Sequence, residues 1–262
     1  MPSMPGTALL KCLNLNQMHN ELTLQRHQPD GHTGRYVQAV WFARAAQAGT
    51  RWLPCDGAQG ILFVLKGELM LDGQKIAAPF HIQAPAKQSV ELSYSAGAEF
   101  AGIRLFPARF KALREAVSPL LAPSGLSELA EQLRQTPKIS TLEQWLEDFS
   151  ALAPDPSYEL QHTYQLINKL MQLNPLEDAY RTIPLCMRQL ERQVKAQSEL
   201  TPKYLARIYR IRNAQQQLRD NPLTNLAQLA LACGFSDQAH LTREFKQILR
   251  ITPGKYVRQL FA

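Results

Sequence analysis

Near its C-terminal end the sequence contains one object twice, and this repeat limits what the chain can fold into more than any other feature. Shifted by 51 positions, Leu190 falls on Leu241, Arg192 on Arg243 and Lys195 on Lys246. The pair Thr201-Pro202 falls on Thr252-Pro253, and Leu200 on Ile251. Leu190 with Val194, and Leu241 with Phe245, are i, i+4 apolar pairs, each one buried face of a helix. Thr201 and Thr252 are placed to cap the helices that follow. Pro202 and Pro253 then take the first helical position, where a missing N–H leaves no bond unmade. Two copies of helix, turn, helix are expected.

In the second copy, Leu223, Leu226, Leu229 and Ala230 space an amphipathic helix that stops at Cys233-Gly234. Gly234 suits the left-handed end of a helix, and Ser236 or Asp237 can cap the next one. That next helix buries Leu241 and Phe245. At about 100° per residue, Gln238, Ala239, Thr242, Arg243 and Lys246 then share a stripe turned away from the core. The stripe offers an amide, a hydroxyl, a guanidinium and an ammonium, and no carboxylate. Base edges in a major groove take such groups, and phosphates take the cations. The competing reading is a solvated helix face.

The first copy begins at Leu176-Glu177-Asp178-Ala179-Tyr180, with Pro184 in its turn. Its second helix would project Met187, Arg188, Glu191, Arg192 and Lys195, each 51 positions before the second stripe. Between the copies, Thr201 to Asp220 reads as one helix, on the order of 27 Å long at 1.5 Å per residue. A rod of that length can hold two recognition helices about one DNA turn apart, roughly 34 Å.

The run from Ala227 through Cys233-Gly234-Phe235-Ser236 to Lys246, closing on Thr252-Pro253-Gly254-Lys255-Tyr256, resembles the C-terminal signature of AraC/XylS-type transcription regulators. The likeness extends back through Tyr209-Arg210-Ile211-Arg212-Asn213-Ala214 and more faintly to about Leu176, roughly the last third of the chain. It implies base-reading positions at Gln238, Ala239, His240, Thr242 and Arg243 in the second unit. In the first unit it implies Arg188, Glu191 and Arg192. Two residues depart from the family pattern: Pro184 stands where glycine is usual, and Val194 where phenylalanine is usual.

Charge agrees with a polyanionic partner. From Arg181 to Ala262 there are 14 Lys and Arg against 5 Asp and Glu, a balance of +9, while the remaining 15 basic and 17 acidic residues leave −2. The whole excess that gives the chain its +7 lies in the repeat region. No lysine-rich run and no segment of 18 apolar residues points to a membrane partner. Met1 to Gly6 carries no export signal. Cys12, Cys55, Cys186 and Cys233 are scattered without a CxxC pair, as in a reduced, cytoplasmic protein.

Ahead of the repeats, residues 1 to about 34 read as mixed. Strand-like runs follow at Arg35–Phe42, Gly60–Leu65, Glu68–Leu71, Phe80–Gln83, Ser89–Tyr94 and Glu99–Phe106. Asp72-Gly73 is a two-residue hairpin signal. Short strands at this spacing suggest a sandwich or small barrel. Such a barrel before an AraC-type module would be cupin-like. The runs Tyr36–Trp41, Leu53–Gly57 and Gly102–Pro107 resemble a variant N-terminal domain of undefined ligand. From Pro107 to about Leu173 the pattern is helical, with apolar faces (Leu126, Leu129 and Leu133; then Leu142, Trp145, Leu146 and Phe149; then Leu160, Tyr164, Ile167 and Leu170-Met171) read as core in preference to dimer contacts.

The expected fold is therefore α+β: a small N-terminal β-barrel or sandwich, cupin-like, with helices, followed by an all-α domain of two helix-turn-helix units joined by a long helix. Residues 1–173 form the sensor or dimerisation domain and 174–262 the DNA-binding domain. A cupin-like metal enzyme carrying a DNA-binding domain is the alternative. It would need several histidines and a carboxylate converging. Of His19, His27, His32, His81, His162 and His240, only His81 falls inside a strand of the barrel, so neither metal nor cofactor is expected. A DNA-repair methyltransferase would need a reactive cysteine in a Pro-Cys-His-Arg setting, which Pro184-Leu185-Cys186-Met187 does not provide. Trp41, Trp52 and Arg104 could line an effector pocket, but lone aromatics in a barrel are mostly core. The partners expected are duplex DNA first, then a small-molecule effector, RNA polymerase or a second copy of the chain.

Overall fold

The computed structural model describes residues 22–261. The sequence readings at Met1–Gly6, Cys12 and His19 lie outside this range. Two antiparallel sheets make up the N-terminal part. The first has the order β1-β2-β9-β4-β7, with β1 at Leu22–His27, β2 at Val37–Ala45, β4 at Gln59–Lys66, β7 at Phe80–Gln83 and β9 at Glu99–Leu105. The second has the order β3-β8-β5-β6, with β3 at Gly49–Leu53, β5 at Leu69–Leu71, β6 at Gln74–Lys75 and β8 at Val90–Tyr94. The sheets stay separate, so the arrangement is sandwich-like and unclosed.

Sequence pattern explains most of this. In β4 the continuous apolar run Ile61-Leu62-Phe63-Val64 is buried on both faces: Ile61 and Phe63 join the core shared with the helices, and Leu62 and Val64 the core shared with the second sheet. Asp72 and Gly73 both have positive φ and close the β5–β6 hairpin. β1 and β3 were not anticipated. In β1 and β3 exposed and half-buried residues alternate, and charged or polar residues interrupt their apolar positions.

Helices follow without interruption: α1 at Phe110–Ala116, α2 at Ser118–Leu121, α3 at Pro123–Gln135, α4 at Ile139–Leu152 and α5 at Tyr158–Met171. The leucines of α3, the Leu142-Trp145-Leu146-Phe149 face of α4 and Tyr164, Ile167 and Leu170 of α5 are buried within the chain. α3 packs on β4, and α4 on β2.

Then come α6 (Leu176–Arg181), α7 (Met187–Ser198), α8 (Pro202–Asp220), α9 (Leu226–Ala232), α10 (Gln238–Leu249) and α11 (Pro253–Gln259). The 51-residue offset holds at both ends of the second helix of each unit: α7 moved by 51 is α10, and the start of α8 becomes the start of α11. One apolar core runs from the first sheet through α3–α5 into both helix-turn-helix units.

Candidate nucleic-acid interface

Local chemistry sets the second unit. Asn225 caps α9 by accepting from the N–H groups of Ala227 and Gln228 at 2.9 and 3.2 Å. The helix starts there, so Leu223 lies outside it and is 90% exposed, which corrects its assignment to the buried face. Gly234, at φ 74°, takes the left-handed position that ends α9, and the N–H of Phe235 returns to Ala230 O at 2.9 Å. Asp237 then caps α10 by accepting from His240 N at 2.6 Å. That bond, with the nearby hydroxyl of Ser236 and charge of Arg243, holds its carboxyl below the usual aspartate range.

Leu241, Phe245, Ile248 and Leu249 bury the inner face of α10. Gln238, Ala239, Arg243 and Lys246 are exposed on the outer face. Thr242 is half-buried and donates its hydroxyl back to Gln238 O at 2.8 Å. His240 is turned toward its own turn: Nδ1 lies 3.0 Å from Ser236 Oγ, and its ring meets Phe235 edge-on. The stripe is therefore continuous, with its hydroxyl and imidazole engaged locally.

In the first unit, α7 buries Leu190, Val194 and Ser198 and exposes Arg188, Glu191, Arg192 and Lys195. Glu191 accepts from Tyr180 OH at 3.2 Å, tying α7 to α6. Cys186 stands at the N-cap of α7 but contributes no side-chain cap bond, unlike Asp237. Pro184 is accommodated in the turn, with Ile183 buried before it.

The two units are seated differently. The second is laced to α8. Arg207 forks onto Glu244 at 2.7 and 2.9 Å, and Arg210 donates to Gly234 O at 2.9 Å while lying over the Phe235 ring. Glu244 raises the pKa of Arg207 through this hydrogen bonding. The first unit leans on earlier helices, α7 packing on α5 and on α1, where Lys111 donates to Ala196 O at 3.2 Å. None of these ties follows from helical spacing. Thr201 and Thr252 do cap α8 and α11, accepting from Tyr204 N and Lys255 N at 3.2 and 3.3 Å.

A family model described as "Helix-turn-helix domain" matches residues 185–259. This part of the chain is a helix-turn-helix domain. It is the DNA-binding part of a transcription regulator, and the match spans α7 through α11. No curated protein matches the sequence. Among solved structures, ToxT from Vibrio cholerae O395 bound to (E)-4-(8-methylnaphthalen-1-yl)but-3-enoic acid is similar at 11% identity and TM-score 0.43, over 92% of this chain and 100% of that one. Unsaturated fatty acid-bound ToxT from Vibrio cholerae strain SCE256 gives 11% identity and TM-score 0.38, over 93% and 97%. The AraC-like transcriptional activator CuxR gives 10% and 0.28, over 90% of each.

The helix-turn-helix domain also closes a cavity of about 420 Å³ against the sheets. Trp41, Leu62 and Phe100 give it an apolar wall, and Trp52 stands at its side, 48% exposed. Six cations line it: Arg26, Arg51 and Arg104 from the sheets, and Arg219, Arg250 and Lys255 from the helices. Among the described residues no carboxylate does. Trp41, Trp52 and Arg104, named from sequence as a candidate pocket lining with core as the commoner place for the aromatics, all line this one cavity. Arg250 also donates to Asp72 at 2.6 Å and lies over the Trp52 ring, while Ser89 N donates to Ile248 O at 2.7 Å. Among the described residues no group of three or more His, Cys, Asp or Glu is placed to hold a metal, and no helix is long and apolar enough to cross a membrane. His81 is exposed on β7.

Proposed function

We propose that this chain is an AraC/XylS-type regulator that reads an asymmetric DNA site through two adjacent major grooves, with α7 and α10 as recognition helices. Residues 1–173 act as the sensor and 174–262 as the DNA-binding domain. The observation that carries this reading is the exact superposition of α7 and α10 in sequence number. Each exposes an arginine and a lysine at the same register, Arg192 with Lys195 and Arg243 with Lys246. Arg188, Glu191 and Arg192 are assigned to one groove, and Gln238, Ala239, His240, Thr242 and Arg243 to the other. The test is selection of bound duplex from a random pool by the full chain, followed by footprinting. Protection of two grooves about one helical turn apart, roughly 34 Å, is expected. Protection of a single groove would sink the two-unit reading.

The cavity supports effector control. Six cations in the lining, of which Arg104 and Arg250 also hold Asp56 and Asp72 just outside it, favour an anion, and the tryptophan and leucine walls favour an apolar body. The occupant is therefore a small organic anion held between the sheets and the helix-turn-helix domain. Dimerisation is the second reading. It has less support, because the apolar faces of α3, α4 and α5 are spent inside the chain.

A further inference from the structure

One guanidinium belongs both to the cavity and to the buried junction between the sheets and α8. Arg104 lines the cavity, and its Nη1 donates to Gln83 Oε1 at 3.2 Å. Its Nη2 and Nε donate to the two oxygens of Asp56, the Nε bond at 3.4 Å. Asp56 is buried, and its Oδ1 also accepts from Ala58 N at 3.0 Å. Its Oδ2 lies 3.7 Å from Nη1 of Arg212, a buried residue of α8. A single carboxylate thus serves two guanidinium groups, that of half-buried Arg104 on β9 and that of buried Arg212 on α8.

Charge balance makes this junction sensitive. Burial by itself would raise the carboxyl's pKa, but Arg104 first and Arg212 next outweigh it, and Asp56 is held below its ordinary range. The loop that carries Asp56 rests directly on α8. Gly57 has φ 72°, and a Cβ there would stand 2.5 Å from Leu205 Cδ2. Any change in how Asp56 is held is therefore felt by α8 without an intervening layer.

An anion entering the cavity is a second claimant on Arg104. If Arg104 turns to it, Asp56 loses its forked partner and must be balanced by Arg212, because a buried charge left without its partner is strongly unfavourable. We propose that Arg104, Asp56 and Arg212 form a relay by which an organic anion in the cavity resets the seating of α8. With α8 moves α10, which Arg207 and Arg210 tie to it, relative to α7, which leans on α5 and α1. This inference rests on the effector reading of the cavity and adds its mechanism.

The probe is 8-anilinonaphthalene-1-sulfonate, with N-phenyl-1-naphthylamine as its neutral counterpart, both titrated into the full chain. The sulfonate should bind at least about tenfold more tightly than the neutral dye, since charged hydrogen bonds are the strong ones. It should change the affinity for selected duplex, read by fluorescence anisotropy, by about 5- to 150-fold, the usual range of coupling between two sites. Asp56→Asn removes the charge and keeps the shape. With no carboxylate left for Arg212 to take up, dye should still bind this variant but should no longer change its DNA affinity. Arg212→Met cuts the far end while keeping the Arg104–Asp56 pair, so it should bind dye more weakly than wild type, because Asp56 then has no second cation to balance it, and should lose the DNA response at saturating dye. If Asp56→Asn fails to fold, Arg212→Met carries the test. Failure of the sulfonate to bind, or binding with no effect on wild-type DNA affinity, removes the effector reading and the relay with it. A full-sized DNA response retained in Arg212→Met overturns the relay and leaves the effector reading standing.

Discussion

Glu199 and Arg250 stand 51 positions apart, and they end α7 and α10 in the left-handed backbone region, each at φ 62°. A residue with a Cβ is disfavoured there, and glycine is the usual choice. Glu199 is exposed, whereas Arg250 also reaches Asp72 and the Trp52 ring. Glu199→Gly is expected to stabilise the protein by about 0.5–1 kcal/mol in urea unfolding. Arg250→Gly gains the same backbone relief but loses both contacts, so it should fall short of that gain. Equal stabilisation by the two changes would mean the Asp72 and Trp52 contacts contribute nothing.

Arg192 and Arg243 occupy matching positions on the exposed faces of α7 and α10. An arginine that reads a guanine costs about 1–3 kcal/mol when lost and relaxes preference at one base pair. One that only touches phosphate weakens all sequences alike and lowers the salt slope by roughly one unit. Base reading is expected for Arg192, and a mixed role for Arg243. Each alanine variant should be titrated over a salt series against the selected site and against scrambled DNA. Uniform weakening by Arg192→Ala would refute its base-reading role.

Val194 and Phe245 fill equivalent core positions, and both are fully buried. Neither position is left exposed by the difference in side-chain size. Phe245→Ala should cost about 3–5 kcal/mol. Val194→Phe, which restores the usual family residue, should cost about 1–3 kcal/mol through overpacking. Thermal or urea unfolding checks both. A stabilising Val194→Phe would reveal a cavity at the first unit.

Asp56 gives the acid limb of stability a specific origin. Its folded pKa lies below the ordinary value of 3.8, so its contribution is fully present above that value and is lost as pH falls from there through the folded pKa. Unfolding followed from neutral pH downward should show wild-type stability falling below about pH 4 more steeply than that of Asp56→Asn. Parallel acid limbs would count against the buried carboxylate being charged.

Helical repeat, caps and hairpin were legible from the residues because each depends on neighbours within one or two turns. The pairs Leu190/Val194 and Leu241/Phe245, the caps at Thr201 and Thr252, and the turn at Asp72-Gly73 all have this character. The helix opening at Asn225 in place of Leu223 shows the limit: apolar spacing runs on past a boundary that a side-chain cap decides. A lone acid beside the apolar run of β4 was the one available sign of Asp56, and spacing could not say which cation it would meet.

The sequence by itself determined two helix-turn-helix units, their offset, their charge and the exposed stripes, since periodicity and capping are local physics. Only the tertiary structure decided that Trp41, Trp52 and Arg104 line a cavity, that Asp56 bridges β9 to α8, and that Arg250 reaches Asp72. Asp56 and Arg104 are 48 residues apart, and Asp72 and Arg250 are 178 apart. Partners at such separations are chosen by how sheets and helices pack, and the positions of a basic or acidic residue along the chain carry no record of that choice.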